Sequence, residues 1–248
     1  MPIPYTDLQI ASGQAPGYSV MIKGGENPAV GTAYEDIWSY GGTKTLSTAA
    51  AAYYISSSSA SDTAVTVFVE GLDANWNYQT VSILLIGQTK TEIGSGLTWI
   101  DVFRVTNISA TALVGIVYVY EDNEISDGVP GTATKVRAAI SIGNEITKQA
   151  IYPIPAGTRG YLRNFTASLK LGLAKTGSVQ LMMKPFGEVW KTRHAIGFSG
   201  SADSDVLHTF SPHFEMLPKT FVKLRVKLSA EDEVDGGFEL ILIKQGGL

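Results

Sequence analysis

The chain has 248 residues, 44% of them hydrophobic, which is ample for a core that needs no covalent staples. Nineteen basic against 23 acidic side chains leave a net charge of −4, so no overall field draws the protein to nucleic acid. With no cysteine, disulfides, thiolate metal sites and cysteine nucleophiles are excluded.

In chain order, Met1 to Ile10 has neither the basic start nor the continuous apolar run of a signal peptide, and no later stretch is long enough to span a bilayer as a helix. No membrane partner is expected. Residues 1–33 are rich in Gly and Pro (Pro2, Pro4, Pro16, Pro28) and hold one short strand candidate, Tyr18 to Lys23. They read as an extended arm, lying on its own domain or reaching a neighbouring subunit. Glu35 to Tyr40 leads into Gly41-Gly42, with Trp38 as a core or edge anchor. Ala49 to Tyr54 runs into Ser56–Ser59 and Ser61, which fits a short β segment ending in a serine loop better than a helix.

The stretch Ala64 to Gly87 is a predicted hairpin. Val65, Val67 and Val69 alternate with Thr66, Phe68 and Glu70, and Val81, Ile83 and Leu85 alternate with Thr80, Ser82 and Leu84. Between them Gly71, Asp73, Asn75 and Asn77 allow the reversal, leaving Trp76 and Tyr78 at the rim of the sheet. Thr98 to Thr106 and Leu113 to Tyr120 are further strands; in the first, Ile100 and Val102 should face one way and Trp99, Phe103 and Val105 the other.

Glu121 to Gly131 is acidic and turn-rich and makes the best internal boundary. Residues 34–130 and 131–248 then read as two parts of a sandwich fold, or as one domain with a long crossover. Beyond it lie strands at Lys135 to Ile142, in the stretch Ala150 to Leu171 with Tyr161, Phe165, Ala167 and Leu169 on one face, and at Ser178–Lys184, Val189–Ile196, Thr220–Leu228 and Phe238–Lys244. No segment sustains a 3.6-residue period. The pattern of about ten to twelve short strands separated by turns is that of an all-β, antiparallel β-sandwich or jelly-roll-like protein with few short helices.

Residues that could carry chemistry do not converge on an enzyme, and no catalytic, cofactor or metal residue is assigned. Asp73, Asn75 and Asn77 open like a calcium loop, but Tyr78 stands where that loop needs glycine and Leu84 where it needs a closing carboxylate, so an Asx-type turn is the better reading. Glu121, Asp122, Glu124 and Asp127 read as a solvated acidic run. His194, His208 and His213 are too scattered for zinc, the last two lying in a loop across Ser211-Pro212. Gly197 to Ser201, with Asp203 and His194 nearby, falls short of a nucleophile elbow, and Gly24-Gly25 and Gly41-Gly42 lack the spacing of a phosphate loop.

Three blocks near the N-terminus, Gly13-Gln14-Ala15-Pro16-Gly17-Tyr18-Ser19, Lys23-Gly24-Gly25-Glu26-Asn27-Pro28 and Glu35-Asp36-Ile37-Trp38-Ser39-Tyr40-Gly41-Gly42, resemble structural proteins encoded beside capsid genes in tailed bacteriophages. Gly71 to Asn77 looks like that family's hairpin loop, and Tyr152 to Leu162 like its extended segment and turn ahead of a strand. The sequence departs at Gly25, where a basic residue is expected, and at Ser39, where an acidic one is commoner. The resemblance implies a virion protein made in the host cytoplasm, a capsid decoration or cement protein that binds the major capsid protein, often as a homotrimer. A neck, tail or fibre component is the alternative within that class. A carbohydrate-binding jelly-roll module, with a glycan as partner, is the alternative outside it.

The candidate interface residues are Tyr18, Trp38, Trp76, Tyr78, Lys223, Arg225 and Lys227. The last three form a cationic stripe on one face of a strand whose other face is Val222, Leu224, Val226 and Leu228. That stripe reads as a solvated face, or as one that docks on an acidic capsid surface or on this chain's own Glu231 to Asp235. Among the aromatics Trp76, Tyr78, Trp99, Tyr118 and Tyr120, any exposed at a loop rim would anchor a protein or a sugar.

Overall fold

The computed structural model describes residues 6–169, 175–200 and 205–245. Among them is one short α-helix, α1 (Asp7–Ala11), started by a capping box in which Thr6 and Gln9 bond each other's backbone amides. The strands begin with β1 (Tyr18–Val30), β2 (Glu35–Asp36), β3 (Tyr53–Ser57), β4 (Thr66–Leu72), β5 (Tyr78–Leu84), β6 (Thr91–Glu92), β7 (Asp101–Asn107), β8 (Val117–Glu121) and β9 (Ile125–Ser126). They continue with β10 (Val129–Pro130), β11 (Val136–Ile140), β12 (Ile151–Pro153), β13 (Thr158–Leu169), β14 (Lys175–Lys184), β15 (Lys191–Gly200), β16 (Asp205–Met216), β17 (Phe221–Leu228) and β18 (Asp232–Lys244). The strand pairs are antiparallel, so the all-β expectation holds.

Two sheets form the larger sandwich. One has the order β1-β18-β13-β16 and the other β12-β17-β14-β15. Their inner faces share one core, where Leu162, Phe165 and Leu240 meet Leu181, Val222 and Leu224. The smaller sandwich lies between them in sequence: the sheets β11-β8-β3-β6 and β5-β4-β7 close over Tyr53, Ile55, Val67, Val69, Trp99 and Val119.

How the small sandwich joins the large one is set by β17. Along one edge of that strand Asp36 pairs with Arg225 and Ile151 with Lys223. Between those pairs the Ile37 amide donates to the Leu224 carbonyl at 3.2 Å and the Leu224 amide to the Ala150 carbonyl at 3.0 Å. β2 and β12 are therefore two halves of one strand, and the small sandwich is an insertion that leaves and re-enters at the Trp38–Gln149 bridge.

This pairing divides the chain differently from the expected break near residue 130. The acidic stretch from Glu121 lies inside the small sandwich, because β11 returns to pair with β8, Val136 opposite Tyr120. A turn-rich loop between neighbouring strands and a linker between domains carry the same residues, which is why the sequence misplaced the boundary. The arm reading also needs correction. From Tyr18 to Val30 the chain is a thirteen-residue strand paired with β18, although residues 1–5 lie outside the described residues.

The hairpin is as expected: Val67 opposes Ile83, Val69 opposes Val81, and Val65, Val67 and Val69 are buried. Two bulges alter predicted faces. In β7 the register slips opposite Glu70 and Gly71, so Val102 and Val105 share the small core while Phe103, expected beside Val105, turns into the large one. In β13 a slip between Leu162 and Asn164 puts Leu162, not Tyr161, inward with Phe165, Ala167 and Leu169. β16 covers the stretch taken for a loop around His208 and His213; Ser211-Pro212 interrupts the period-two pattern of Val206, His208 and Phe210 that marks it.

Candidate interface surfaces

The predicted stripe on β17 starts from a sound alternation, since Val222, Leu224, Val226 and Leu228 all enter the core. Its other face is not uniformly solvated. Lys223 is buried, with its ammonium 2.6 Å and 2.8 Å from the two carboxylate oxygens of Asp36 and 4.5 Å from the Trp190 ring centre. Burial holds the Lys223 pKa below the usual lysine range, against the pull of Asp36, and burial likewise raises that of Asp36. Arg225 donates to Gln180 at 2.9 Å and lies over the Tyr34 ring, which Lys227 covers as well, 4.9 Å from its centre. The acidic partner is thus Asp36 from the split strand and not Glu231 to Asp235. Only Lys227 of the three is exposed.

The aromatic candidates separate in the same way. Trp38 is buried and its indole N–H donates to the Gly42 carbonyl at 3.2 Å. Trp76, expected at the rim, is buried: at a positive φ of 68° the hairpin loop tips its ring into the large core, 5.0 Å from Phe221 and 5.9 Å from Phe186. Trp99, Tyr118 and Tyr120 are also buried. Tyr18 is half-buried at the start of β1. Tyr78 alone of the set is a large exposed surface, at 53%, and its hydroxyl donates to Glu70. Partial burial, then that bond, raises its pKa.

The loop acids serve the loops. Asp73 accepts from the amides of Asn75 and Asn77, both at 2.8 Å, which is the Asx-type turn. Glu121 pairs with Arg137 at 2.7 Å and Asp122 with Lys90, so these two carboxylates point to different cations. Ser201 and Asp203 lie outside the described residues.

Three features escaped the sequence reading. His194 on β15 and His208 on β16 stack at 4.0 Å between ring centres, joining the edges of the two large sheets beside Phe165 and Phe210; the signal was the period of β16, hidden by the proline. A buried ionic seam joins the sandwiches, made of Lys44 with Asp101 at 2.9 Å, Lys223 with Asp36, and Lys23, whose ammonium donates to the Phe103 carbonyl at 2.5 Å. Lys44 stands in a polar loop and Lys23 and Lys223 on strands, and nothing local to any of them gave a sign of this. Lastly, a groove of about 560 Å³ lies on the outward face of β1, β18 and β13, against the small sandwich.

The chain is an antiparallel β protein of two sandwiches, one inserted in a strand of the other. No protein-family profile matches the sequence, and no curated protein matches it. Among solved structures it is similar to that of the infectious bursal disease virus Gx strain, with 10% identity over 93% of this chain and 73% of that one and a TM-score of 0.29. Particles with T=1 derived from infectious bursal virus give 11% identity, coverage of 93% and 71%, and a TM-score of 0.27. A putative secreted protein from Parabacteroides distasonis gives 13%, 98% and 96%, and 0.21. Likeness at these scores falls short of a shared fold, and the functional reading rests on this chain's own strand order. No helix among the described residues is long and apolar enough to cross a membrane.

Proposed function

We propose that the protein is a structural component of a virion, a capsid decoration or cement protein that forms a trimer, binds the major capsid protein and acts through buried area without catalysis. The observation that carries this reading is the strand order. Counting the split strand once, the large sandwich pairs its strands 1-8-3-6 and 2-7-4-5, an order that supports reading it as an eight-stranded jelly roll, an architecture of viral capsid and lectin domains. The resemblance of blocks covering most of residues 13–170 to phage structural proteins points the same way. Self-association is supported by the edges: among the described residues β15 and β16 end their sheets, and Val189 beside one and Leu207 on the other are exposed at 72% and 68%.

The test is the solution mass of the purified chain by light scattering, followed by mixing with capsids assembled without it. A trimer that rebinds and raises the capsid melting temperature supports the reading. A monomer that leaves capsids unchanged sinks it and directs attention to neck, tail and fibre complexes.

A further inference from the structure

The groove on the outward face of the β1-β18-β13-β16 sheet is walled on one side by Arg104, Ile146 and Lys148 of the inserted sandwich and floored by the strand pair β1–β18. Gly24 faces Gly237 there, and Gly25 faces Gly236. Packing explains part of this. A Cβ at Gly25 would lie 2.4 Å from the Ala150 nitrogen and from the Ile37 oxygen, and one at Gly237 would lie 2.4 Å from the Lys23 oxygen. At Gly24 a Cβ would meet nothing within 4 Å, and the backbone is not in the left-handed region. Neither packing nor conformation asks for glycine at that position. What the missing side chain does is keep the groove floor bare.

Beside this floor, Asn164, Thr166 and Ser168 of β13 stand in register with Glu239, Gly237 and Asp235 of β18. The amide, hydroxyl and carboxylate groups are spaced by the pleat along one flat face, and donors and acceptors mix over the whole surface. The charges at the groove are met within the protein, Arg104 by Glu70 at 3.2 Å, Lys148 by Glu26 and Glu239 by Arg163 at 2.9 Å, while the Lys23 ammonium turns away to the Phe103 carbonyl. This pairing disfavours a phosphate or an amine. Ile22, 69% exposed, and Ile146 add apolar contact at the rim. A flat bare floor, apolar edges and mixed donors and acceptors without net charge match a pyranose ring, whose vicinal hydroxyls both donate and accept and whose C–H face is apolar.

We infer that this groove binds a short neutral oligosaccharide, with Gly24 as the floor and Asn164, Arg104 and Glu239 as the hydrogen-bonding wall. The site lies on one chain and needs no capsid, so it stands or falls separately from the virion reading. The full chain would be screened on an array of neutral di- to tetrasaccharides of glucose, galactose, mannose and N-acetylglucosamine, and hits titrated by calorimetry. The expected result is a carbohydrate ligand whose affinity falls at least tenfold in Gly24→Phe and in Asn164→Ala, with the Gly24→Phe melting temperature unchanged because its side chain enters open space. Absence of any hit, or a hit bound equally well by Gly24→Phe, overturns the inference; a hit weakened only by Tyr78→Ala would place the sugar elsewhere and overturn it too.

Discussion

Lys44 and Asp101 form an ion pair 2.9 Å long in which neither side chain reaches solvent. Lys44 lies on the segment that leads into the inserted sandwich, and Asp101 opens β7, the strand whose bulge sends Phe103 into the large core. The pair therefore sits where the two sandwiches share a wall. Burial lowers the pKa of Lys44 and raises that of Asp101, while each partner's charge opposes the change. Such a pair adds little net stability, but either half left alone is costly.

Asp101→Ala is accordingly expected to destabilise the protein by roughly 3–5 kcal/mol, because it strands a buried ammonium. The double variant Lys44→Met, Asp101→Leu should recover most of that loss. Urea unfolding of the three proteins measures both. A double variant no more stable than Asp101→Ala would mean that the pair does more than neutralise itself.

Lys23 makes a pH prediction for the same seam. Burial first, then the charges of Arg104 and Lys44, bring its pKa down from 10.5 to about 7, with Asp101 and Glu70 pulling the other way. Between those two values the unfolded chain holds a proton that the folded chain has released. Stability is thus free of the Lys23 penalty above 10.5, declines as the pH falls, and bears the full penalty once the pH passes about 7. Chemical denaturation across that window should give a rising stability with pH that is flatter in Lys23→Met. Equal slopes in the two proteins would show that the lysine is not buried as described.

These residues also mark how far the sequence could be read. The hairpin was legible because its alternation and Asx loop are local, and local signals survive without knowledge of the partner strands. The split strand was not, since Asp36 and Ile151 become consecutive only along β17, and no local pattern records a pairing across an insertion. Lys223 illustrates the same limit at the level of one side chain. A charge at every second position of a strand looks alike whether water or Asp36 faces it, and the deciding carboxylate lies on another strand. The jelly-roll-like expectation came from strand count and turn spacing, whereas the order of the strands required the pairing itself.

Trp76 was expected at an exposed rim and instead pins the hairpin loop of the insertion to Phe221 of the large sandwich. Trp76→Ala should cost about 3–5 kcal/mol through the cavity it leaves. Because the ring ties one sandwich to the other, proteolysis should cut within the loops near Gly71 to Asn77 sooner in the variant than in the parent. A variant with unchanged melting temperature would return Trp76 to the list of surface anchors.

The stacked imidazoles of His194 and His208 join the edges of β15 and β16, each of which ends its sheet among the described residues. The His208 pKa is held below 6.5 by burial and then by the neighbouring charge of His194. Its folded state gives up the proton before the unfolded one does, so stability is complete above about 6.5 and is lost as the pH falls through the lowered folded value. Phe165 and Phe210 pack around the pair and offer no counter-charge, at 5.5 Å and 4.6 Å from the His208 ring centre. Acidification should therefore loosen this edge of the large sandwich first, and between about pH 8 and 5 the hydrogen-exchange protection, taken relative to the intrinsic rate at each pH, should fall in β15 and β16 before the other strands. His208→Phe, which keeps an aromatic ring in the stack but cannot take a proton, should remove the acid sensitivity of those two strands; if protection there still falls on acidification, another group governs the opening.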